Sequence, residues 1–127
     1  MSIGPRIMVF AAGIVGVVAV GVSAQASHGT WNAAQAEQLH MASVFALLHA
    51  VALLATGTLT GLMRLSAWLL GLAGLCFMAG VGMFCGGMYL RIFFNMPVIF
   101  IPWGGTALMA GWGILAFAAL KGRPKPI

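Results

Sequence analysis

Long apolar runs alternate with short polar connections along this chain. A helix that crosses a membrane needs about 20 apolar residues, and four runs approach or exceed that length. They are Ile7–Ala24, Met41–Leu59, Leu65–Leu90 and a run that ends at Leu120. The pattern predicts one domain, residues 1–127, with membrane spans at about 7–25, 39–60, 65–90 and 102–120. The predicted fold is an all-α membrane protein, a four-helix transmembrane bundle with short loops.

Two of the connections carry signals for the ends of helices. Asn32, followed three residues later by Gln35, resembles a capping pair, so a helix is predicted to begin near Ala33 and continue into the second span. The last connection contains Pro97 and Pro102, and prolines break a helix that passes through them. The fourth span is predicted to begin near Pro102, because proline suits the first turn of a helix.

The composition agrees with a bundle that is embedded in a membrane. Hydrophobic residues make up 62% of the chain and charged residues 6%, too few to cover the surface of a water-soluble domain. Basic residues are distributed unevenly between the two sides of the predicted spans: Arg6, Arg64, Lys121, Arg123 and Lys125 on one side, and Arg91 on the other. This distribution follows the positive-inside rule and predicts that both termini are cytoplasmic.

Small residues recur at helical spacing on three of the predicted spans. Such faces let helices approach closely in lipid, where hydrophobicity alone does not drive association. The faces are Gly13, Gly16, Val20 and Ala24 on the first span, Gly74, Met78, Gly82 and Gly86 on the third, and Gly104, Ala107, Gly111 and Ala118 on the fourth. For the third span, packing within the chain is the favoured interpretation. At least one of the three faces is predicted to meet another protein or a lipid.

The histidines and cysteines do not have the spacing of a metal site. His40 and His49 are nine residues apart on the second span, so they point to opposite sides and cannot bind one ion together. His28 would have to join one of them, and metal-binding clusters have closer spacing. Cys76 and Cys85 are also nine residues apart, too far for a mutual disulfide. No metal and no cofactor are therefore predicted.

His49 lies in the middle of a predicted span, where an unpaired polar group is costly. The favoured interpretation is a buried, neutral histidine that is hydrogen-bonded to a backbone carbonyl or a hydroxyl and binds no metal. The alternative is a proton relay or a contact with a quinone. His28 and Gly29 are interpreted as a turn, in which the glycine supplies backbone freedom and the histidine caps exposed amides.

Glu37 is the only acidic residue of the chain, and Arg91 is the only basic residue predicted on the same, outer side. A carboxylate near the membrane surface gains from a basic neighbour. The two are therefore predicted to approach each other and to clamp the start of the second span to the end of the third. The alternative is two separate charges, each solvated among lipid headgroups.

Several segments resemble, in the correct order, the motifs of one family of small inner-membrane proteins. They are Ser23–Gly29, Phe45–Leu54, Phe84–Leu90, Ile101–Gly105 and the pair Gly111-Trp112. Together they resemble the YgdD-like family, also described as domain of unknown function 423. The resemblance implies four spans and a bacterial inner membrane, and it implies no activity.

Three positions depart from the pattern of that family. Cys85 replaces the usual small serine, Phe45 stands where a tyrosine is common, and Arg91 follows Tyr89-Leu90 where an apolar residue is usual. The position of Arg91 indicates a special contact at the outer end of the third span.

The predicted function is that of a structural or accessory subunit of a larger membrane complex. No nucleophile–base pair, phosphate loop or paired carboxylate site occurs in the sequence, so no enzymatic activity is predicted. The expected partners are membrane lipids and other membrane-protein subunits, without nucleic acid, because the basic tail has no interleaved aromatic residues. A homo-oligomer is also compatible with the sequence. The predicted structural or interaction residues are His28, Glu37, His49, Gly82, Gly86, Arg91, Gly104, Gly105 and Gly111.

Two alternatives belong to other functional classes. The first is a small oligomeric transporter or channel-like protein, although the spans hold few polar residues to line a path. The second is a redox subunit that contacts a quinone or haem through His49 or His28.

Overall fold

Four long helices make up most of the chain. The computed structural model describes residues 3–64, 66–121 and 123–124. The helices are α1 (Ile3–His28), α2 (Ala33–Leu62), α3 (Ala67–Phe94) and α4 (Ile101–Lys121). Even α4, the shortest with 21 residues, is about 32 Å long at 1.5 Å per residue and can cross a hydrocarbon core of about 30 Å. In the described part of the chain all four helices are long and apolar enough to cross a membrane, which confirms the predicted fold class.

The helices extend slightly beyond most of the predicted spans, and their ends follow local signals. The Asn32 side chain accepts a hydrogen bond from the backbone N–H of Gln35 at 2.8 Å, and the Gln35 side chain accepts one from the backbone N–H of Asn32 at 3.2 Å. This reciprocal capping box begins α2 at Ala33, as predicted. Asn95 adopts the left-handed conformation (φ 52°) that ends α3. Pro102 lies in the first turn of α4, also as predicted.

Each helix packs against the next one in the chain, so α2 and α3 form the centre of the bundle and α1 and α4 its flanks. Pro5 of α1 lies beside Gly57 near the end of α2. Two short antiparallel strands, β1 (Met63–Arg64) and β2 (Arg123–Pro124), pair at the same end. This end, where α1 begins and α4 ends, is called the terminal end, and the end with the α1–α2 and α3–α4 loops is called the distal end.

The membrane orientation of these two ends is a prediction from the basic residues. Of the five that define the predicted cytoplasmic side, Arg6 and Lys121 belong to the terminal ends of α1 and α4. Lys125 lies outside the described residues.

Alanines form much of the contact between α1 and α2. The buried alanines of α1 are Ala12, Ala19 and Ala26, and those of α2 include Ala42, Ala46 and Ala50. Their spacing of seven residues on α1 and four on α2 keeps one small-residue face of each helix directed at the bundle.

Glycines form the contact between α3 and α4. Four of them lie directly against the facing helix: Gly80 against Leu108, Gly87 against Ile101, Gly104 against Phe84 and Gly111 against Phe77. A Cβ atom at Gly104 would overlap the backbone nitrogen of Phe84, so that position requires glycine for space. At the other three positions a large side chain fills the room that the glycine leaves, and at Gly104 the backbone of α3 does. Both arrangements allow a close approach of the two helices.

Candidate functional site

His49 is buried near the middle of α2, with 5% of its surface exposed. Its Nε2 atom is 3.0 Å from the indole Nε1 of Trp112 on α4. An indole N–H can only donate, so Nε2 accepts and the ring proton lies on Nδ1. Nδ1 donates to the carbonyl oxygen of Phe45, one turn earlier on α2, at 2.7 Å. These two bonds hold His49 as the neutral Nδ1–H tautomer, with both ring nitrogens occupied.

Aromatic rings surround His49 on several sides. Its ring lies parallel to that of Phe45, with centroids 6.2 Å apart and an angle of 9° between the planes. Phe77 of α3 lies at 5.7 Å and Trp112 at 5.9 Å, both tilted, and these two rings meet edge to face at 5.2 Å. These spacings are typical of stabilising ring contacts. The cluster therefore joins α2, α3 and α4 and extends to the outer surface, where Phe45 and Trp112 are partly exposed.

The prediction that His49 is buried and hydrogen-bonded is confirmed. The carbonyl partner belongs to its own helix, and the partner on another helix is the indole of Trp112, which was not predicted. A quinone oxygen or a haem iron could reach a ring nitrogen of His49 only by displacing Trp112 or the Phe45 carbonyl. Among the residues that the structure describes, no group of three or more His, Cys, Asp or Glu side chains could hold a metal ion.

His40 points to the other side of α2, toward α1, as the spacing of nine residues predicts. Its Nδ1 is 3.1 Å from the Ser23 hydroxyl, and its Nε2 is 3.4 Å from the Ser27 hydroxyl. The Ser27 hydroxyl donates to the Ser23 carbonyl oxygen at 3.3 Å, so it can accept from Nε2–H while Nδ1 accepts from Ser23. Because both ring nitrogens are used by serines, no carboxylate orients the ring as in a catalytic triad. The contact links α1 to α2.

Two further polar contacts link α2 to α3. The hydroxyl groups of Ser43 and Tyr89 are 3.0 Å apart, and Ser43 is buried. Nearer the distal end, Nη2 of Arg91 donates to the side-chain oxygen of Gln38 at 3.4 Å. The contacts that Gln38, His40 and Ser43 of α2 make with α1 and α3 lie in the distal half of α2.

The predicted pair of Glu37 and Arg91 is wrong, because Arg91 contacts Gln38 instead. Successive residues of an α-helix point about 100° apart. With Gln38 directed at α3, the neighbouring Glu37 is directed away and exposed. The contact between the start of α2 and the end of α3 is therefore a hydrogen bond from Arg91 to the neutral amide of Gln38, and the predicted charge pair does not form it.

His28 is the exposed last residue of α1, and Gly29 begins the loop to α2. Gly29 does not have a positive φ, so backbone freedom is not what requires it. A side chain there would overlap the indole of Trp31 and approach the Gln25 carbonyl oxygen. Trp31 packs over this glycine and meets Phe93 of α3 edge to face at 5.2 Å. The glycine is therefore explained by the close approach of Trp31.

The predicted glycines of α4 lie at the contact with α3. Gly104 and Gly111 are buried there, and the position of a Cβ atom at Gly105 would be 3.7 Å from the Phe84 ring, an ordinary contact. The face predicted for α4 thus packs within the chain.

Gly82 and Gly86 of α3 have no such neighbours. A Cβ atom at either position would meet no other atom within 4 Å, whereas one at Gly80 or Gly87 would overlap a side chain of α4. The favoured interpretation, packing within the chain, is therefore wrong for Gly82 and Gly86, although Gly74 of the same face lies against Met8 of α1. The position of a glycine along this face of α3 decides whether it contacts α1. The two helices are close together near the terminal end and diverge beyond it.

The divergence leaves a half-open apolar slot with a volume of about 160 Å³. Its lining residues come from three helices: Ile14, Val15, Val18 and Ala19 of α1, Ala46 of α2, and Val81, Gly82, Cys85, Gly86 and Tyr89 of α3. This space between α1 and α3 is called the α1–α3 slot.

Sequence reasoning missed Trp112, Gln38, the Ser43–Tyr89 pair and the serines at His40. One signal was available, because Ser23 and His40 are at similar distances from the α1–α2 loop and residues so placed face each other in a helical hairpin. No comparable local signal exists for Trp112, which lies two helices away from His49.

Comparison with known proteins gives one family match. The model of the family described as "Protein of unknown function (DUF423)" matches residues 22–105. No solved structure matches the chain. The matched segment includes His49, Tyr89, Arg91 and the start of α4.

Proposed function

Because the match covers more than half of its length, the chain belongs to the DUF423 family, whose description assigns no function, and we propose that it is an accessory subunit of a larger membrane complex without chemistry of its own. Its four apolar helices fit a small multi-pass membrane protein. The proposed location is the bacterial inner membrane, with the terminal end toward the cytoplasm, as the basic residues and the positive-inside rule indicate.

The observation that carries this proposal is the open small-residue face of α1. Of the most apolar stretch of α1, 17% is buried inside the chain, against 50% for α2. Gly13 and Gly16 have no atom within 4 Å of the position of a Cβ atom, and the neighbouring Val17 and Val20 are exposed. Small residues on a lipid-facing helix favour close helix contacts. The proposed partner of this face is a transmembrane helix of another protein.

The use of the polar side chains supports a role without catalysis. His49, His40 and Ser43 each lie within a membrane-spanning helix, and each is hydrogen-bonded to another side chain or to the backbone of this chain. Apart from the bond of His49 to the Phe45 carbonyl, which lies within α2, these bonds join helices to one another. These three polar side chains within the spans are therefore engaged in holding the bundle together, which leaves the apolar outer faces for interaction.

The two alternative functions have less support. A transport path needs polar groups or carbonyls along its wall, whereas the α1–α3 slot is lined by apolar surface. A redox subunit would use a nitrogen of His49 or His28. Both nitrogens of His49 are hydrogen-bonded, and His28 is exposed at the end of α1, away from the ring cluster.

Substitution of an open glycine tests the proposal. Gly16→Leu adds bulk on the α1 face, and Gly113→Leu adds the same bulk at an open position of α4 that serves as the control. The tagged proteins are extracted from membranes in mild detergent and separated by native electrophoresis. Wild type and Gly113→Leu are expected in an assembly larger than the 13.2 kDa chain, and Gly16→Leu is expected to be released from it. Wild type that migrates alone, or Gly16→Leu that stays in the assembly, would overturn the proposal.

A further inference from the structure

The α1–α3 slot has the position, length and lining of a site for a hydrocarbon chain. We propose that it binds one acyl chain of a phospholipid from the membrane leaflet at the distal end. The occupant is a single lipid held against the bundle for longer than the freely exchanging lipids around it.

Two glycines create the room in the slot. Gly82 and Gly86 form part of its α3 wall, and no atom of the chain lies within 4 Å of the position of a Cβ atom at either residue. The volume of about 160 Å³ is similar to that of an apolar cavity of about 150 Å³ that admits a benzene-sized molecule. The slot therefore accepts a segment of an acyl chain and is too small for a helix, whose diameter is about 10 Å.

The position of the slot matches one leaflet of the membrane. On α3 its lining extends from Val81, near the middle of the helix, to Tyr89, five residues before the end of the helix. That distance is about 12 Å, against about 15 Å for half of the hydrocarbon core. Toward the terminal end, Met8 lies against Gly74 and brings α1 onto α3. An acyl chain that enters from the distal leaflet would thus end near the bilayer centre.

A partner helix fits this geometry less well than a lipid. A transmembrane helix crosses both leaflets, about 30 Å of hydrocarbon, whereas the slot begins near the middle of the helices and its α3 wall lies in the distal half. An acyl chain belongs to one leaflet and has the width of a single row of methylene groups. The half-length of the slot therefore favours the acyl chain.

The lining of the slot is apolar because its one polar side chain is turned inward. Tyr89 contributes to the wall, and its hydroxyl group is bonded to the buried hydroxyl of Ser43 at 3.0 Å. The phenol ring is left as the surface that faces the slot. With no charged side chain in the lining, the site recognises the hydrocarbon chain and does not select the headgroup.

This site is separate from the proposed docking face. On α1 the slot is lined by Ile14, Val15, Val18 and Ala19, whereas Gly13 and Gly16 of the docking face are not among its lining residues. Loss of the lipid and loss of a partner protein can therefore be observed independently.

Photochemical labelling tests the site in the wild-type protein. The chain is reconstituted into phosphatidylcholine vesicles that contain a phosphatidylcholine with a diazirine in the middle of one acyl chain. After irradiation, mass spectrometry of peptides locates the adducts. They are expected to be concentrated at residues 14–19 and 81–89. Equal labelling of exposed residues outside the slot, such as Phe10 and Met109, would overturn the proposal.

A variant that fills the slot provides the second measurement. Gly86→Leu places a side chain in the slot, and Gly113→Leu is the matched control. Labelling of the slot is expected to fall roughly tenfold in Gly86→Leu, the effect of losing the burial of about two methylene groups, and to be unchanged in Gly113→Leu. A phosphatidylglycerol probe with the same chains should give the same pattern as phosphatidylcholine. Retained labelling in Gly86→Leu, or labelling by one headgroup only, would contradict the assignment.

Discussion

The α1–α2 and α3–α4 helix pairs use small residues in opposite ways. Between α1 and α2, alanines such as Ala12 and Ala46 fill the contact, and the glycines Gly13 and Gly16 are left open on the outside. Between α3 and α4, the glycines form the contact itself, as at Gly104, which lies against the backbone nitrogen of Phe84. The difference lies in the facing residues, because a glycine packs inward where the opposite helix offers a large side chain or its backbone. A small-residue stripe therefore indicates close packing only together with its neighbour.

The strongest expected effect is that of one methyl group added at the α3–α4 contact. In Gly104→Ala the new Cβ atom would overlap the backbone nitrogen of Phe84, which cannot move without shifting α3. The free energy of unfolding in mixed detergent micelles is expected to fall by about 3 kcal/mol, the upper part of the range for overpacking. The control is Gly105→Ala, whose new atom would make an ordinary contact at 3.7 Å with the Phe84 ring. Equal stabilities of the two variants would show that α3 and α4 are not in tight contact.

The next effect concerns the bond that joins α2 to α4. His49→Leu removes the acceptor for the indole of Trp112, and Trp112→Phe removes the donor while keeping an aromatic ring. Each change is expected to lower the unfolding free energy by about 1 kcal/mol through the lost interhelical bond. The double variant should lose less unfolding free energy than the sum of the losses in the two single variants, because the two residues share that bond. Additive effects of the two substitutions would argue against a direct His49–Trp112 bond. As a separate measurement, ¹⁵N NMR of His49 should show the proton on Nδ1.

A smaller effect is expected at the serine contacts of His40. Ser23→Ala removes one of its two partners, and the remaining hydroxyl of Ser27 still bonds to the ring. The expected loss of unfolding free energy is about 0.6 kcal/mol, typical of hydrogen bonds between helices in membranes. Thr58→Ala is the matched control, because Thr58 bonds to a carbonyl of its own helix and joins no other. A larger loss in Thr58→Ala than in Ser23→Ala would contradict the assigned link between α1 and α2.

The smallest effect distinguishes two neighbouring residues at the distal end. A double-mutant cycle between Gln38→Ala and Arg91→Ala should show weak coupling, because their side chains are in contact at 3.4 Å. The same cycle between Glu37→Gln and Arg91→Ala should show none, since Glu37 is directed away from α3. The structure would be contradicted if Glu37 were coupled to Arg91 more strongly than Gln38 is coupled to Arg91. Both residues at this contact are exposed or partly exposed, so the effect on stability should be small.

Much of the fold could be predicted because its signals are local. The apolar runs predicted the four helices, and the Asn32–Gln35 pair predicted the start of α2. The spacing of nine residues correctly placed His40 and His49 on opposite sides of α2. These features depend on residues within a few turns of each other and on the period of a helix.

The partners across helices could not be predicted in the same way. Gln38 and Glu37 differ by about 100° of helix rotation, and the sequence does not fix which of them turns toward Arg91. Trp112 meets His49 because α4 packs onto α3 at Gly104 and Gly111, a result of tertiary packing. The same holds for Gly82 and Gly86, which have the spacing of a packing stripe but lie where α1 has already diverged from α3.

The most direct test of the opposite roles of the glycines compares Gly111→Leu with Gly16→Leu. Both changes add the same side chain to a glycine on a membrane-spanning helix. A Cβ atom at Gly111 would lie 2.7 Å from the Phe77 ring, whereas one at Gly16 would meet no atom within 4 Å. The account predicts that Gly111→Leu loses about 1–3 kcal/mol of unfolding free energy and that Gly16→Leu in the isolated chain changes by less than about 0.5 kcal/mol. Equal losses, or a greater loss in Gly16→Leu, would contradict it.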